Sequence, residues 1–383
     1  MTQSVPITGA VLRWARDEAG LSVVALADRL TVPPEQVELW EAESDAPSRG
    51  QVTKLASVLR RPTAVFFLPA APTSASISPS LRSAPGLGDQ PLQSGDLCAI
   101  RQAQRQQSML SWCIQARGSP PIDLPRYEPS ADAAAAGEDA RFRSEISVEV
   151  QLGWSNDGQA FRAWREALER RGIFVQQSSL GRESVRGFSL WDDYAPLVVV
   201  NSAYLQTARS YSLIHEYGHM LNRSAAACRD FVNSVGDDRA AERWCERFAA
   251  SYLVPEGALK KVAANSGVTA SMPAREPKVV RKIANRFRVS GRAMAIRLTD
   301  VGLGTQDLYY KFSTWTKLRN WSEGGGGGGE VRIERRRQEL GDATVRTFLE
   351  ALEDGRLNLR DATDFLGLSP NEIADLEVLL ASD

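Results

Sequence analysis

Histidine is almost missing from this chain: its 383 residues hold two, His215 and His219. That scarcity excludes a three-histidine metal site, including the pattern H-E-x-x-H-x-x-G-x-x-H. Cysteine is scarce as well. The four cysteines, at 98, 113, 228 and 245, contain no C-x-x-C pair, which argues against a disulfide framework and for a reducing compartment. No apolar run reaches the ~18 residues that cross a bilayer. The opening M-T-Q-S-V-P-I-T-G has no apolar leader core. The expectation is a soluble, cytoplasmic protein with no membrane partner. The net charge is −1, so no global field gathers nucleic acid or an acidic surface. The length allows two or three domains.

What is present is concentrated in Tyr211 to Leu221, Y-S-L-I-H-E-Y-G-H-M-L. Both histidines lie here, four apart, with Glu216 directly after the first. On a helix this H-E-x-x-H spacing puts two imidazoles one turn apart on one face, with a carboxylate beside them. Leu213, Ile214, Tyr217, Met220 and Leu221 form the apolar stripe. The histidines fall on the other side of the wheel, which disfavours a pair of structural core histidines. Two imidazoles suit a Zn²⁺ ion, one per chain, and Glu216 suits the proton transfer that zinc hydrolysis needs.

A catalytic zinc takes a third protein ligand and keeps one position for water. With no histidine left, that ligand is a carboxylate or a thiolate. A second helical run, Ala240 to Leu253, buries Trp244, Cys245, Phe248, Ala249 and Tyr252 and carries Glu242 and Glu246 at the edge of that stripe. Glu242 is the expected third ligand. Glu246 is the expected acceptor of a ligating ring N–H. The competing reading of this pair is a solvated face shared with Arg243 and Arg247. Asp230, Asp237 and Asp238 remain as further ligand candidates, and Cys228 and Cys245 read as small core residues. For the oxyanion, Arg209, Tyr204, Tyr211 and Tyr252 stand unranked.

The run R-S-Y-S-L-I-H-E-Y-G-H-M-L followed by E-R-W-C-E-R-F-A-A-S-Y-L-V-P resembles the ImmA/IrrE family of zinc metallopeptidases over roughly residues 155 to 260. Glu242 matches that family's metal-ligand glutamate, and Phe248, Ala249, Ala250 and Pro255 match its packing positions. The chain departs at Cys245 and Glu246, where alanine and asparagine or aspartate are usual. The resemblance implies a zincin-like endopeptidase that cuts a partner repressor under stress or on mobile-element induction.

The flanks fill in a multidomain, mostly α expectation. Residues 1–70 read as an all-α helix-turn-helix domain that resembles the Cro/phage-repressor (XRE) type. Its second helix carries Glu35, Glu38 and Glu41, and residues up to 69 hold seven Lys/Arg against eight Asp/Glu. DNA binding and protein docking therefore both stay open. Residues 71–143 read as linker with one helix from Ala99 to Cys113, and 118–140 as irregular. Residues 144–316 form the α+β peptidase domain: a helix over 157–171, then strands at 173–177, 187–191 and 196–201, then the two site helices. Behind them Arg275 to Arg297 hold eight Lys/Arg. This is a solvated face or a surface for DNA or an acidic partner, with Arg281, Lys282, Arg286 and Arg288 the candidates. Residues 317–339 are a Gly-rich flexible linker. Residues 340–383 are a helical tail suited to partner docking or homodimer formation. The function expected is zinc-dependent cleavage of one intracellular protein, a repressor. The alternative is a non-catalytic DNA-binding regulator or antitoxin on the same fold.

Overall fold

The computed structural model describes residues 4–59, 61–72, 80–82, 94–128, 130–181, 184–223, 237–318 and 331–381. Asp230, Cys228 and the six-glycine run lie outside these. The chain divides into two units, Met1–Ser76 with Leu87–Gln102, and Ile77–Gly86 with Ala103–Asp383.

The first unit is a set of short helices, Gly9–Glu18, Val23–Leu30, Pro34–Glu41 and Arg49–Val58, closed by a 3₁₀ turn at Thr63–Phe67. Local chemistry sets their starts. Ser22 caps the second helix through the Ala25 amide, Pro34 opens the third, and Ser48 with Gln51 forms a reciprocal capping box on the fourth. Leu12, Leu26, Val37, Trp40, Leu55 and Phe66 make the core. Glu41 is buried and pairs with Arg16 at 2.6 Å and Arg13 at 3.3 Å. It holds the third helix to the first and does not face a ligand.

The second unit is built on a four-stranded sheet in the order β1-β3-β4-β2. The strands are β1 Ser80–Arg82, β2 Phe174–Ser178, β3 Gly187–Leu190 and β4 Leu197–Asn201. β2 runs parallel to β4, with Phe174 opposite Leu197, while β3 is antiparallel to both β4 and β1. β4 is buried from end to end, as the run L-V-V-V-N requires of a central strand. β1 was not expected. It comes from a Pro-, Ser- and Gly-rich stretch with no alternating pattern to mark it.

A second difference is the helix Ala133–Arg143, in the stretch expected to be irregular. Alanine has the highest helix propensity, and Asp132 caps the run through the Ala134 and Ala135 amides. The run has almost no apolar periodicity, which is why pattern alone passes over it. Gly137 lets this helix come close to Asp237–Leu253: a Cβ there would sit 2.5 Å from the Phe248 carbonyl oxygen. The connecting helix is also longer than expected, Ser94–Ala116.

The tail is four helices, Arg332–Leu340, Asp342–Glu353, Leu359–Leu366 and Pro370–Ala381. The first begins inside the stretch read as linker. It covers the outer side of β2, where the Gln338 carbonyl accepts from Gln177 at 3.0 Å and from Arg165 at 2.5 Å. Gly341, at φ +88°, lies directly on Arg165, Glu169 and the Val175 carbonyl, and any Cβ there would collide with all three. Gly341→Ala is therefore expected to cost about 1–3 kcal/mol or more, from a forbidden φ plus steric overlap. Urea unfolding of the full chain measures it, and limited proteolysis would show the tail cut first.

Candidate functional site

The histidine helix, Gln206–Asn222, runs through the centre of the second unit, and every residue from Ser212 to Asn222 is buried. One side packs on β3 and β4, and another on the glutamate helix, Asp237–Leu253. The sequence pattern suggested an apolar face and an open histidine face, but both faces are covered. Gly218 lets the two site helices approach, since a Cβ there would lie 3.0 Å from Phe248 Cδ1 and 3.4 Å from the Cys245 sulfur.

Across that contact three side chains converge. His215 Nε2 lies 3.2 Å from His219 Nε2. Glu242 reaches over from the next helix, its two oxygens 3.2 Å from His215 Nε2 and 3.1 Å from His219 Nε2. The imidazoles are buried and the Glu242 side chain is 38% exposed, so the cluster opens to solvent on the carboxylate side. Among the described residues this is the one His/Cys/Asp/Glu group with metal-binding spacing. The spacing fits zinc. Bonds of about 2.0–2.1 Å in a tetrahedron put neighbouring donors about 3.3 Å apart, close to the separations seen. Burial works against charge on Glu242, but hydrogen bonds from His215 and His219 outweigh it and hold the carboxyl far below its usual range. Burial also disfavours charge on His219, but the Cys245 thiol and Glu242 outweigh it and hold the ring well above an ordinary imidazole.

Glu216 is fully buried beside this cluster, and Ser189 on β3 donates to its Oε2 at 3.0 Å. Neither Ser189 nor its contact was anticipated. The available sign was a polar residue at a buried position of an apolar strand.

The residue next to the His219 ring is also not the expected one. Cys245, read as core filler, is fully buried against the histidine helix, its sulfur 3.4 Å from where a Cβ on Gly218 would lie. Glu246, expected to take the ring N–H, is exposed, and its backbone carbonyl accepts from Tyr211 at 3.1 Å. Positions 245 and 246 are ~100° apart on the helix, so an inward 245 turns 246 outward. Asp237 and Asp238 begin the glutamate helix.

The oxyanion candidates separate. Tyr252 is enclosed among Trp164, Tyr217 and Phe248, with no exposed surface. Arg209 donates to the Tyr204 and Ser202 carbonyls and to Gln177, which ties it to the ends of β2 and β4. Tyr204 donates to the Ser184 carbonyl at 3.4 Å. Tyr211 is partly exposed, one turn before His215 on the histidine helix, and its hydroxyl donates to the Glu246 carbonyl.

The basic pair is the helices Pro277–Phe287 and Gly291–Asp300. Lys282 and Arg286 are exposed and Arg281 is half-buried. Arg288 turns inward instead, donating from Nε to the Trp154 carbonyl at 3.0 Å. Arg297 is buried on the Val254 carbonyl and the Ser251 hydroxyl. The free charge of this surface is thus smaller than its composition suggests.

No helix among the described residues is long and apolar enough to cross a membrane. Residues 168–299, from the end of the helix before β2 to the end of the basic pair, match the Peptidase_M78 family, described as an IrrE N-terminal-like domain. Residues 12–66 match the helix-turn-helix family HTH_3. No curated protein matches the chain. The chain is therefore similar to an XRE-type helix-turn-helix over residues 12–66 and to a metallopeptidase-like domain of the ImmA/IrrE kind over residues 168–299.

Proposed function

We propose that the protein is a cytoplasmic zinc-dependent endopeptidase that cuts one specific intracellular protein, a transcriptional repressor, and so relieves repression during stress or mobile-element induction. The observation that carries this reading is the convergence of His215, His219 and Glu242 beside a buried Glu216. His215, His219 and Glu242 would hold the zinc. When bound there, zinc supplies a Lewis acid that polarises the scissile carbonyl and acidifies water. Glu216 takes a proton from the attacking water as its oxygen bonds to the carbonyl carbon. The C–N bond then breaks, and Glu216 passes the proton to the leaving amine. Tyr211 would serve as donor to the developing oxyanion only by releasing the hydrogen bond its hydroxyl makes to the Glu246 carbonyl.

We take the sheet as the guide to where a peptide would lie. The helix Arg332–Leu340 covers β2, and β4 is interior. β3 carries the serine that touches Glu216, and its outer side takes Ser80–Arg82 in antiparallel pairing. That side of β3 is occupied by β1, so an extended substrate would pair with β3 in that sense only by displacing Ser80–Arg82. Incubation with a repressor encoded beside this protein, with casein as comparison, tests the reading. Cleavage of the repressor at one bond, with casein intact, is expected. Equal digestion of both would contradict the regulatory role.

DNA contact by the helix-turn-helix is expected to be weak. Glu35, Glu38 and Leu39 are the exposed residues of its second helix. Arg13 and Arg16 are tied to Glu41, and Lys54 to the Leu30 carbonyl. Few cations remain for phosphates. Fluorescence anisotropy at physiological salt should give a Kd no tighter than the about 10⁻⁴–10⁻⁶ M of non-specific binding. Nanomolar, sequence-selective binding would contradict this and restore a DNA-reading role.

A further inference from the structure

We propose that Ser189 is a positioning residue for Glu216, an inference that rests on Glu216 being the base of the reaction above. Side chains alternate along β3. Gly187 and Ser189 face the histidine helix: a Cβ on Gly187 would lie 3.6 Å from Glu216 Cγ, and the Ser189 hydroxyl lies 3.0 Å from Glu216 Oε2. Phe188 and Leu190 point to the opposite face. The strand thus presents its two smallest side chains where the carboxylate sits, and the second of them carries a donor.

The contact is fully enclosed. Ser189 and Glu216 have no exposed surface, so bulk water does not compete for that carboxylate oxygen. A glutamate turns about three side-chain bonds, and a base must aim one oxygen at a water molecule within about 3 Å. A donor fixed on the other oxygen removes most of that freedom. The donor itself is rigid. β3 is paired to β4 from Gly187↔Val200 to Leu190↔Leu197, so the hydroxyl is placed by a strand ladder and not by a loop. Ser189 touches no reacting atom and makes or breaks no bond. It acts through Glu216 alone.

The strand that holds the base is itself held on both sides, by β1 and by β4. Neighbouring larger side chains could not serve. A longer polar group at 189 would push the carboxylate away, and alanine would leave a buried oxygen short of a donor.

The test is a double-mutant cycle in the full-length, zinc-loaded chain: wild type, S189A, E216Q and S189A/E216Q, with kcat, KM, zinc content and melting temperature measured for each. S189A is expected to lower kcat about 10–100-fold, the range for losing an outer partner of a catalytic group. KM should change less than about twofold and zinc content not at all. S189T should recover most of kcat. In the E216Q background, S189A should cause no further loss. The proposal is overturned if S189A leaves kcat unchanged, or if it lowers the E216Q rate by the same factor as wild type. If S189T proves too large to fold, the cycle decides alone. Failure here is separable from failure of the endopeptidase reading. An active wild type with an equally active S189A sinks only the role of Ser189. A zinc-loaded wild type that cuts nothing sinks both.

Discussion

Glu216→Gln should cut turnover by orders of magnitude, to a small residual rate, and leave the metal in place. The amide matches the carboxylate in size, and its oxygen can still accept from Ser189, so the fold and the three donors next to it are undisturbed. What is lost is the ability to take a proton. General-base loss costs about 10²–10⁴ in rate, and the expected fall in kcat lies toward the upper end because Glu216 itself is fully enclosed. KM should stay within a factor of about three. Mass spectrometry of the cleaved partner and metal analysis of the same sample check both halves. A variant that still cuts at the wild-type rate would remove Glu216 from the mechanism. A variant that loses zinc as well would make it a structural residue of the centre.

Glu242→Ala should remove the metal itself. Two imidazoles at 3.2 Å remain, but the charge that offsets the cation and the only ligand from the second helix are gone. The loss in zinc affinity should exceed the about 10–100-fold typical of removing an outer partner, with activity lost in parallel, and a chelator should do the same to wild type. Competition with a zinc-sensitive dye measures the affinity. Loading should also depend on pH, with a definite sign. The apo His219 ring is held well above the usual imidazole value against the opposing effect of its burial, by Cys245 and Glu242. It is therefore protonated at and above the ordinary pKa, and zinc requires it neutral. Apparent affinity should rise with pH through and above neutrality and fall away in acid. Calorimetry in buffers of different ionisation enthalpy should show proton release on binding.

The parts of this molecule that were legible in the sequence are those written in side-chain type and spacing. Two histidines four apart, with a glutamate between them and none elsewhere, leave little room for another reading. Glu242 was one of several carboxylates offered near a second amphipathic run, and it is the one that lies with the two histidines. What escaped is instead decided by backbone or by small rotations. Glu246 misses the histidines because Cys245, one position earlier, faces the histidine helix and turns it to water. The helix Ala133–Arg143 has propensity without periodicity. The docking of the tail depends on the Gln338 carbonyl and on a glycine at φ +88°, and a carbonyl has no signature in sequence. Ser189 resembles any serine in a strand until the neighbouring helix is placed over it. A census of charge counted Arg288 and Arg297 as surface cations, although both hydrogen-bond inward.

The zinc K-edge absorption spectrum of the purified full-length protein tests the metal centre most directly. The expected spectrum shows one zinc per chain with two imidazole nitrogens and carboxylate and water oxygens at about 2.0–2.2 Å. A sulfur shell at about 2.3 Å, a six-coordinate oxygen environment, or a spectrum unchanged by Glu242→Ala would contradict it.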